Sequence, residues 1–327
     1  MTKCKILLIG CGQLGSRHLQ AVATLREVGE IHVVDPRPES LELARARLRE
    51  VSDTNPAIVF QWHTEPMACC AGGDLCIVAT QAKDRPVLIK RIAARFSYKK
   101  FLIEKIVSQS IGEYQDLMEY VKINSLLVWV HCQTRTYGIH RYVKSCLDPV
   151  EPITFTEIGG NFGLACNGIH YADLFLFYDG GHAIHGAGAK IDPVLHSSKR
   201  GSEVFDLSGS LYGFSDKGSH FILSYAPQHR NSDVVTVSSS KGKFIIDIIA
   251  QSGFEWKEDT GWKPIPIMES DLVSYTSKRI VADILSGRES GLPTLEECFP
   301  AHRYILSELL PHFNLLLGTS NTYCPVT

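Results

Sequence analysis

Short apolar or β-branched runs alternate with longer helical patterns over the first 131 residues. Helical spacing of apolar residues covers stretches between the runs, such as Leu14–Arg26, Glu39–Glu50 and Gly112–Ile123. Strands alternating with amphipathic helices are typical of a doubly wound parallel sheet. The pattern therefore predicts a Rossmann domain for residues 1–131. Its six expected strands are Cys4–Gly10, Ile31–Asp35, Ala57–Trp62, Leu75–Thr80, Phe101–Glu104 and Leu126–His131.

The pattern changes after residue 131. Helix-like stretches at Gly138–Leu147 and about Ile169–Tyr178 flank a strand-like run at Ile153–Ile158, and helices return at Asp271–Ser286 and Leu295–Leu310. Turn residues separate the strand-like runs in between, which favours an antiparallel meander. We therefore expect a second α/β domain over residues 132–327, with C-terminal helices that pack back. The meander strands are expected at Val204–Phe214, His220–Tyr225, Val234–Ser238, Phe244–Ile249 and Gly253–Lys257.

Composition and charge narrow the class of partner. The 327 residues carry 33 Lys and Arg against 35 Asp and Glu, a formal net charge of -2. Such a balance offers no basic field for a phosphate backbone, so a small molecule is a better candidate partner than nucleic acid.

The cysteines and the apolar runs bear on the compartment. The ten cysteines, including the adjacent Cys69 and Cys70, form no Cys-x-x-Cys pair and are interpreted as buried, reduced thiols. The first apolar run, Ile6–Ile9, is too short for a signal-peptide core, and no later run is long enough for a membrane span. A soluble, cytoplasmic protein is the expectation.

A glycine motif follows the first predicted strand. Gly10-Cys11-Gly12-Gln13-Leu14-Gly15 matches G-x-G-x-x-G at the start of a predicted helix. In this context Gly10 permits a tight turn, Gly12 lets the backbone approach a pyrophosphate, and Gly15 allows close helix–strand packing. The alternative is an ordinary glycine turn.

Asp35 ends the second predicted strand, 20 residues after Gly15. A carboxylate there can accept hydrogen bonds from adenosine ribose hydroxyls, or it can simply cap a helix. It would repel a 2′-phosphate, so the sequence favours NAD over NADP. Arg37 can pair with a phosphate, lie over adenine or remain solvated. The predicted cofactor-binding residues are Gly10, Gly12, Gln13, Leu14, Gly15, Asp35, Arg37, Thr80, Glu104 and Lys105.

Five motifs of the chain together match one known family. They are Gly10–Gly15, Ile77-Val78-Ala79-Thr80, Glu104-Lys105, Gly168-Ile169-His170-Tyr171-Ala172-Asp173 and Leu292-Pro293-Thr294-Leu295-Glu296-Glu297. In these motifs the chain resembles the glucose-fructose oxidoreductase, inositol dehydrogenase and rhizopine-catabolism (Gfo/Idh/MocA) dehydrogenases. The resemblance implies a Rossmann domain, a second α/β domain with a large open sheet, and a homodimer or homotetramer.

Three positions depart from that family's usual pattern. Ile106 stands where a proline commonly follows the fifth strand. Cys166 occupies the slot of an aspartate four residues before the motif histidine, and Arg85 lies near the place of a customary histidine after the fourth strand. At Cys166 the third catalytic role of that family therefore lacks its usual carboxylate.

The resemblance implies three catalytic candidates, Lys105, His170 and Asp173. Lys105 follows the fifth strand, where an ammonium can stabilise an alkoxide, although it can also pair with Glu104 or Asp84 in water. His170 is the candidate acid and base, because an imidazole exchanges protons near neutral pH. Asp173 lies three residues later on the predicted helix, where it can orient the imidazole or bind a sugar hydroxyl. For His170 and Asp173 the alternative is a purely structural role.

Further polar residues are candidate ligands of a substrate or a metal. Arg135 can clamp a carboxylate or phosphate, or form an interdomain ion pair. Asn167, beside Cys166, can bind a substrate hydroxyl. His182 and His185 lack a third ligand at suitable spacing, so we expect no metal site.

These residues favour an NAD-dependent dehydrogenase or reductase of a sugar, polyol or nucleotide-linked sugar, with a role in glycan synthesis as one hypothesis. An imine or enone acceptor is a further alternative. The rival from another class is a non-catalytic, dinucleotide-binding regulator.

Overall fold

The computed structural model describes residues 3–65, 72–198, 201–228, 232–250, 252–266 and 273–327. The chain divides into two compact units. The first comprises Met1–Ser108, Gly112–His131 and Asp271–Leu295, and the second comprises Gln109–Ile111, Cys132–Ser270 and Glu296–Thr327.

The strands, in chain order, are β1 (Cys4–Ile9), β2 (Val28–Val34), β3 (Val59–His63), β4 (Leu75–Val78), β5 (Lys100–Ile103), β6 (Leu127–Val130), β7 (Thr154–Gly159), β8 (His185–Ile191), β9 (His196–Ser197), β10 (Phe205–Asp206), β11 (Gly209–Phe214), β12 (His220–Tyr225), β13 (Val234–Ser239), β14 (Gly242–Asp247), β15 (Ser252–Lys257) and β16 (Gly261–Pro264). The α-helices are α1 (Gly15–Val22), α2 (Pro38–Arg49), α3 (Arg85–Phe96), α4 (Ile111–Ile123), α5 (Gly138–Cys146), α6 (Leu164–Asp179), α7 (Val273–Ser286) and α8 (Leu295–Leu317). No described helix has the length and apolar character needed to cross a membrane.

The first unit contains a parallel sheet of six strands in the order β3-β2-β1-β4-β5-β6. All six predicted runs form strands, and the order is that of a Rossmann fold, which confirms this part of the prediction. Strand β4 is fully buried, as its continuous apolar sequence predicts. The carboxyl ends of β1, β2, β4, β5 and β6 therefore carry the side chains expected to bind a ligand.

Helix α7 belongs to the core of the first unit. Its Ile280, Val281 and Ile284 are buried in the same hydrophobic cluster as Leu19 of α1 and Leu8 of β1. The boundary predicted at residue 131 places this helix with the second domain, but the stretch Asp271–Leu295 lies in the first unit. An apolar helix face shows that a helix is buried, not which sheet it covers.

The second unit contains a sheet of eight strands in the order β16-β15-β14-β13-β7-β12-β11-β8. Only the β7–β12 pair is parallel, so the expected large, mostly antiparallel sheet is confirmed. Helix α6 packs on it through aromatic contacts, with the ring of Phe175 4.9 Å from Phe221 and 5.9 Å from Phe155. The helix that carries His170 is thereby fixed to the centre of this sheet.

Candidate functional site

The glycine motif forms the turn between β1 and α1, and two of its glycines are sterically required. Gly10 has a φ of 84°, and a Cβ there would lie 2.8 Å from the carbonyl oxygen of Ala79. A Cβ on Gly15 would lie 1.9 Å from the carbonyl oxygen of Gly10. At Gly12 a Cβ would meet only the Arg37 guanidinium, at 3.3 Å. The backbone of β1 and α1 therefore needs glycine at 10 and 15, whereas Gly12 keeps a surface free of side chain.

Asp35 is joined to this turn by hydrogen bonds. Its side chain is buried, and Oδ2 accepts a hydrogen bond from the Cys11 amide at 2.9 Å. Oδ1 accepts from the Arg37 amide at 3.0 Å and from Arg37 Nε at 3.3 Å. The Arg37 side chain is mostly exposed and pairs with Asp35, a contact that the three sequence alternatives for Arg37 did not include. The structure thus brings Gly12, Asp35 and Arg37 together.

Gln13 and Leu14 occupy the start of α1. Arg47 of α2 donates hydrogen bonds to the carbonyl oxygen of Gln13 at 2.7 Å and to its side-chain oxygen. Leu14 is the N-cap residue, and no side chain caps the helix there. Backbone N–H groups at an uncapped helix start are suited to a phosphate.

Arg85 holds the loops after β4 and β5 in place. It begins α3 and is 1% exposed. Its Nη1 donates to the carbonyl oxygens of Glu104, at 2.6 Å, and Ile106, and its Nη2 donates to that of Thr80. The backbone on both sides of the buried Lys105 is therefore tied to one guanidinium. The sequence marked Arg85 only by its position.

Glu104 lies between two buried histidines that sequence reasoning did not connect with it. Its Oε1 is 2.8 Å from His18 Nε2 and 2.8 Å from His131 Nδ1. Burial alone would raise the pKa of Glu104, but the charge and N–H of His131 and the N–H of His18 hold that pKa well below its ordinary value. Burial lowers the pKa of His18 against the opposing effect of Glu104, so His18 is a neutral donor. Glu104 is thus an ionised, fixed carboxylate beside Lys105.

In the second unit, Asp206 fixes the first turn of α6. Its Oδ1 accepts hydrogen bonds from the amides of Ala165, at 2.9 Å, and Cys166, at 3.3 Å. The helix therefore begins at Leu164, five residues before the predicted patch. Asn167 lies in this turn, where its amide donates to the carbonyl oxygen of Gly163 at 2.7 Å. The sequence pattern does not predict this contact between Asp206 of β10 and the first turn of α6.

His170 and Asp173 both lie on α6, and Asp173 forms an ion pair with Arg135. Asp173 is 1% exposed, and its Oδ2 is 3.5 Å from Nε of Arg135, whose guanidinium carbon lies 4.8 Å from the ring centre of Phe177. Burial raises the pKa of Asp173 to about 6, with Arg135 acting in the opposite direction. Arg135 thus forms an ion pair within the second unit. His170 is half-buried on the same helix.

His185 is one of the two histidines named above as possible metal ligands. His185 lies on β8, where its Nε2 is 2.6 Å from Asp216 Oδ1. Of the ten cysteines, the eight within the described ranges form no disulfide bond, and Cys69 and Cys70 lie outside those ranges.

Comparison with known proteins identifies the fold. No protein-family model matches this chain. No curated protein sequence matches it either. Solved structures do match over nearly the whole chain. An oxidoreductase from Agrobacterium radiobacter in complex with NAD+, L-tartaric acid and magnesium is 15% identical with a TM-score of 0.73, over 93% of this chain and 94% of its own.

Two further matches act on defined substrates. A UDP-N-acetylglucosamine 3-dehydrogenase from Acidithiobacillus ferrooxidans is 14% identical with a TM-score of 0.71, over 95% of this chain and 97% of its own. A scyllo-inositol dehydrogenase from Lactobacillus casei, with bound NAD(H) and scyllo-inositol, is 16% identical with a TM-score of 0.67, over 93% and 95%. This chain shares the two-domain fold of these oxidoreductases.

Proposed function

We propose that this protein is an NAD-dependent dehydrogenase or reductase. It would transfer hydride between nicotinamide and a hydroxyl-bearing or carbonyl carbon of a sugar, a polyol or a nucleotide-linked sugar. The observation that carries the proposal is the attachment of the Asp35 carboxylate to the glycine turn through the Cys11 amide, at 2.9 Å. Matching structures hold NAD or act on inositol and a nucleotide sugar, which supports the same class.

The residues present fit a dinucleotide. Gly12 lacks a side chain at an uncapped helix start, where a pyrophosphate can accept backbone hydrogen bonds. Asp35 places a carboxylate beside the same turn, and it would bind the ribose hydroxyls while repelling a 2′-phosphate. When bound, NAD+ supplies the hydride acceptor. Gly10, Gly12, Gly15 and Asp35 are the residues that would hold it.

Lys105 and His170 are assigned the chemistry of the substrate oxygen. In oxidation, the substrate hydroxyl loses its proton to His170 as its carbon loses hydride, and a carbonyl forms. The Lys105 ammonium would stabilise the negative charge that develops on the oxygen. Arg85 acts as a positioning residue, because its guanidinium binds the backbone before and after Lys105. Glu104 is a second positioning residue, because His18 and His131 hold its carboxylate next to Lys105 in the chain. Asn167 and Arg135 are the proposed substrate contacts.

The test is an assay with NAD+ and a panel of polyols, free sugars and nucleotide-linked sugars, in which reduced nicotinamide is followed by absorbance. We expect turnover with one of these classes. We also expect Lys105→Ala to lower kcat by about 10²–10³-fold while the Kd for NAD stays nearly unchanged. The control is Lys99→Ala, an exposed lysine at the other end of β5, which should leave kcat unchanged.

Two results would contradict the proposal. Tight NAD binding without turnover on any member of the panel would favour a non-catalytic regulator. An unchanged kcat in Lys105→Ala would remove Lys105 from the mechanism.

A further inference from the structure

Two cysteines and an aspartate from distant parts of the chain meet in the interior of the second unit. Cys132 directly follows the first unit in sequence, Asp173 lies on α6, and Cys298 lies on α8. All three side chains are at most 1% exposed. One donor atom from each lies within 4.8 Å of the others. We call this group the Cys132–Asp173–Cys298 cluster.

The distances in the cluster match those around a tetrahedral zinc ion. Bonds of about 2.3 Å to sulfur place two sulfurs about 3.8 Å apart, and a carboxylate oxygen about 3.6 Å from each sulfur. The two Sγ atoms of Cys132 and Cys298 are 3.6 Å apart. Cys298 Sγ is 3.9 Å from Asp173 Oδ1. One ion can therefore reach all three atoms with small side-chain adjustments.

The surroundings supply the support that a metal centre needs. Ligating carboxylates are usually held by a second polar group. Asp173 presents Oδ1 to Cys298 and Oδ2 to Arg135, at 3.5 Å. Two thiolates and a carboxylate would be balanced by a divalent ion together with Arg135, so the buried group would carry no net charge.

His302 supplies a hydrogen-bond donor beside the Cys132–Asp173–Cys298 cluster. It lies one turn after Cys298 on α8 and is fully buried. Its Nδ1 is 3.0 Å from the carbonyl oxygen of Cys298 and 3.5 Å from Cys298 Sγ. Because the carbonyl only accepts, Nδ1 must carry the proton, and the same N–H points near the sulfur. An N–H beside sulfur stabilises a thiolate, so His302 is assigned to the outer shell and not to the ion itself.

We propose that Cys132, Cys298 and Asp173 bind one Zn²⁺ ion, with a fourth coordination position left for water. Thiolate ligands favour zinc over magnesium or calcium. The ion would fasten α6, which carries His170, to α8 and to the segment after β6. The proposal departs from the sequence expectation of no metal, because the three ligands are separated by 41 and 125 residues and no spacing motif links them.

The alternative is a set of neutral thiol hydrogen bonds. Burial raises the pKa of the Cys298 thiol well above its ordinary value, so without a cation this thiol stays protonated. A metal changes this, because it binds the thiolate and releases the proton. The two states therefore differ in metal content and in the spectrum of a cobalt-substituted protein.

The experiment measures metal in untagged protein produced in zinc-supplemented medium and passed through chelator-treated buffer. We expect inductively coupled plasma mass spectrometry to find about one zinc ion per chain. Cys132→Ser and Cys298→Ser should each reduce zinc content at least tenfold. Cys324→Ser is the matched control, since Cys324 is another buried cysteine of the second unit, in contact with the Leu306 carbonyl, and should keep the wild-type content.

A second measurement needs no variant and so covers the case in which the serine variants do not fold. Wild-type protein produced with Co²⁺ should show thiolate-to-cobalt charge-transfer absorption. Three results would each overturn the proposal. The first is a wild-type zinc content below about a tenth of an ion per chain, and the second is a cobalt spectrum without that absorption. The third is full zinc content in Cys298→Ser. None of these readouts depends on enzymatic turnover.

Discussion

Asp35 is the residue on which we propose that cofactor choice depends. Its carboxylate would accept from the ribose of NAD, whereas it would repel the 2′-phosphate of NADP, which Arg37 would attract. We expect Asp35→Ala to raise the Kd for NADH about tenfold more than the Kd for NADPH, as measured by fluorescence titration. Equal losses for the two cofactors would show that Asp35 does not contact the ribose.

A control separates binding from structural damage at Asp35. The alanine also leaves the Cys11 amide without its acceptor, which costs about 1–3 kcal/mol of stability if the amide stays buried. Asp35→Asn keeps an acceptor for that amide but removes the negative charge. This variant should be close to wild type in thermal stability and still lose discrimination against NADPH.

Single residues also show where sequence reasoning stops. The glycine motif and the strand pattern predict the positions of Gly10, Asp35 and Glu104, because each lies at a strand end that periodicity defines. The partners of Glu104 had no such signal. His18 is 86 positions away in the chain, and only the parallel order of the sheet brings it to 2.8 Å. Long-range pairing of this kind has no local pattern.

At the scale of elements, strand β7 places an ionisable side chain, that of Glu157, in the interior of the second unit. Glu157 is 0% exposed, and burial, together with nearby Asp233, raises its pKa well above the ordinary 4.5. Asp233 also accepts a hydrogen bond from Tyr171 of α6, at 3.0 Å. Glu157 is therefore a neutral acid in the folded protein and a carboxylate in the unfolded chain above its ordinary pKa.

This difference predicts a pH dependence of stability. Since the folded pKa lies above the unfolded one, the contribution of Glu157 is complete below pH 4.5 and declines as pH rises toward the folded pKa. Glu157→Gln removes the titrating proton, so its unfolding free energy should decline less over that range. Urea titrations at several pH values measure this. The exposed Glu258→Gln is the control, and parallel curves for Glu157→Gln and wild type would contradict the prediction.

Elements were predicted well where one period repeats and poorly where glycine or proline interrupts it. Strands β12 and β13 lie where alternation places them. The pattern does not predict strand β8, because His185–Ile191 includes two glycines and two of its three alternating apolar residues are alanines. Helix α8 was expected to end at Leu310, yet it continues through Pro311 to Leu317. Proline removes one hydrogen bond, which packing of the surrounding turns can offset.

At the scale of the whole molecule, the first unit is discontinuous in sequence. Helix α7 packs with α1, and the stretch after it adds to the sheet, since Pro293 accepts a hydrogen bond from the Val130 amide at 2.9 Å. Trp129 of β6 also forms a β-bridge with Thr294. The hydrophobic pattern alone predicts neither contact, because both depend on where the chain returns after Cys132–Ser270 of the second unit.

The discontinuity predicts that residues 1–131 do not make a stable domain alone. Ile280, Val281 and Ile284 are at most 2% exposed, and burial of each contributes about 1.5–3 kcal/mol. Their sum is comparable with the whole stability of a domain, about 5–15 kcal/mol. A fragment of residues 1–131 should therefore unfold without a cooperative transition in urea, as followed by circular dichroism. The same fragment joined through a Gly/Ser linker to residues 271–295 should regain one. A cooperative transition of equal midpoint in both fragments would show that α7 is dispensable to the Rossmann core.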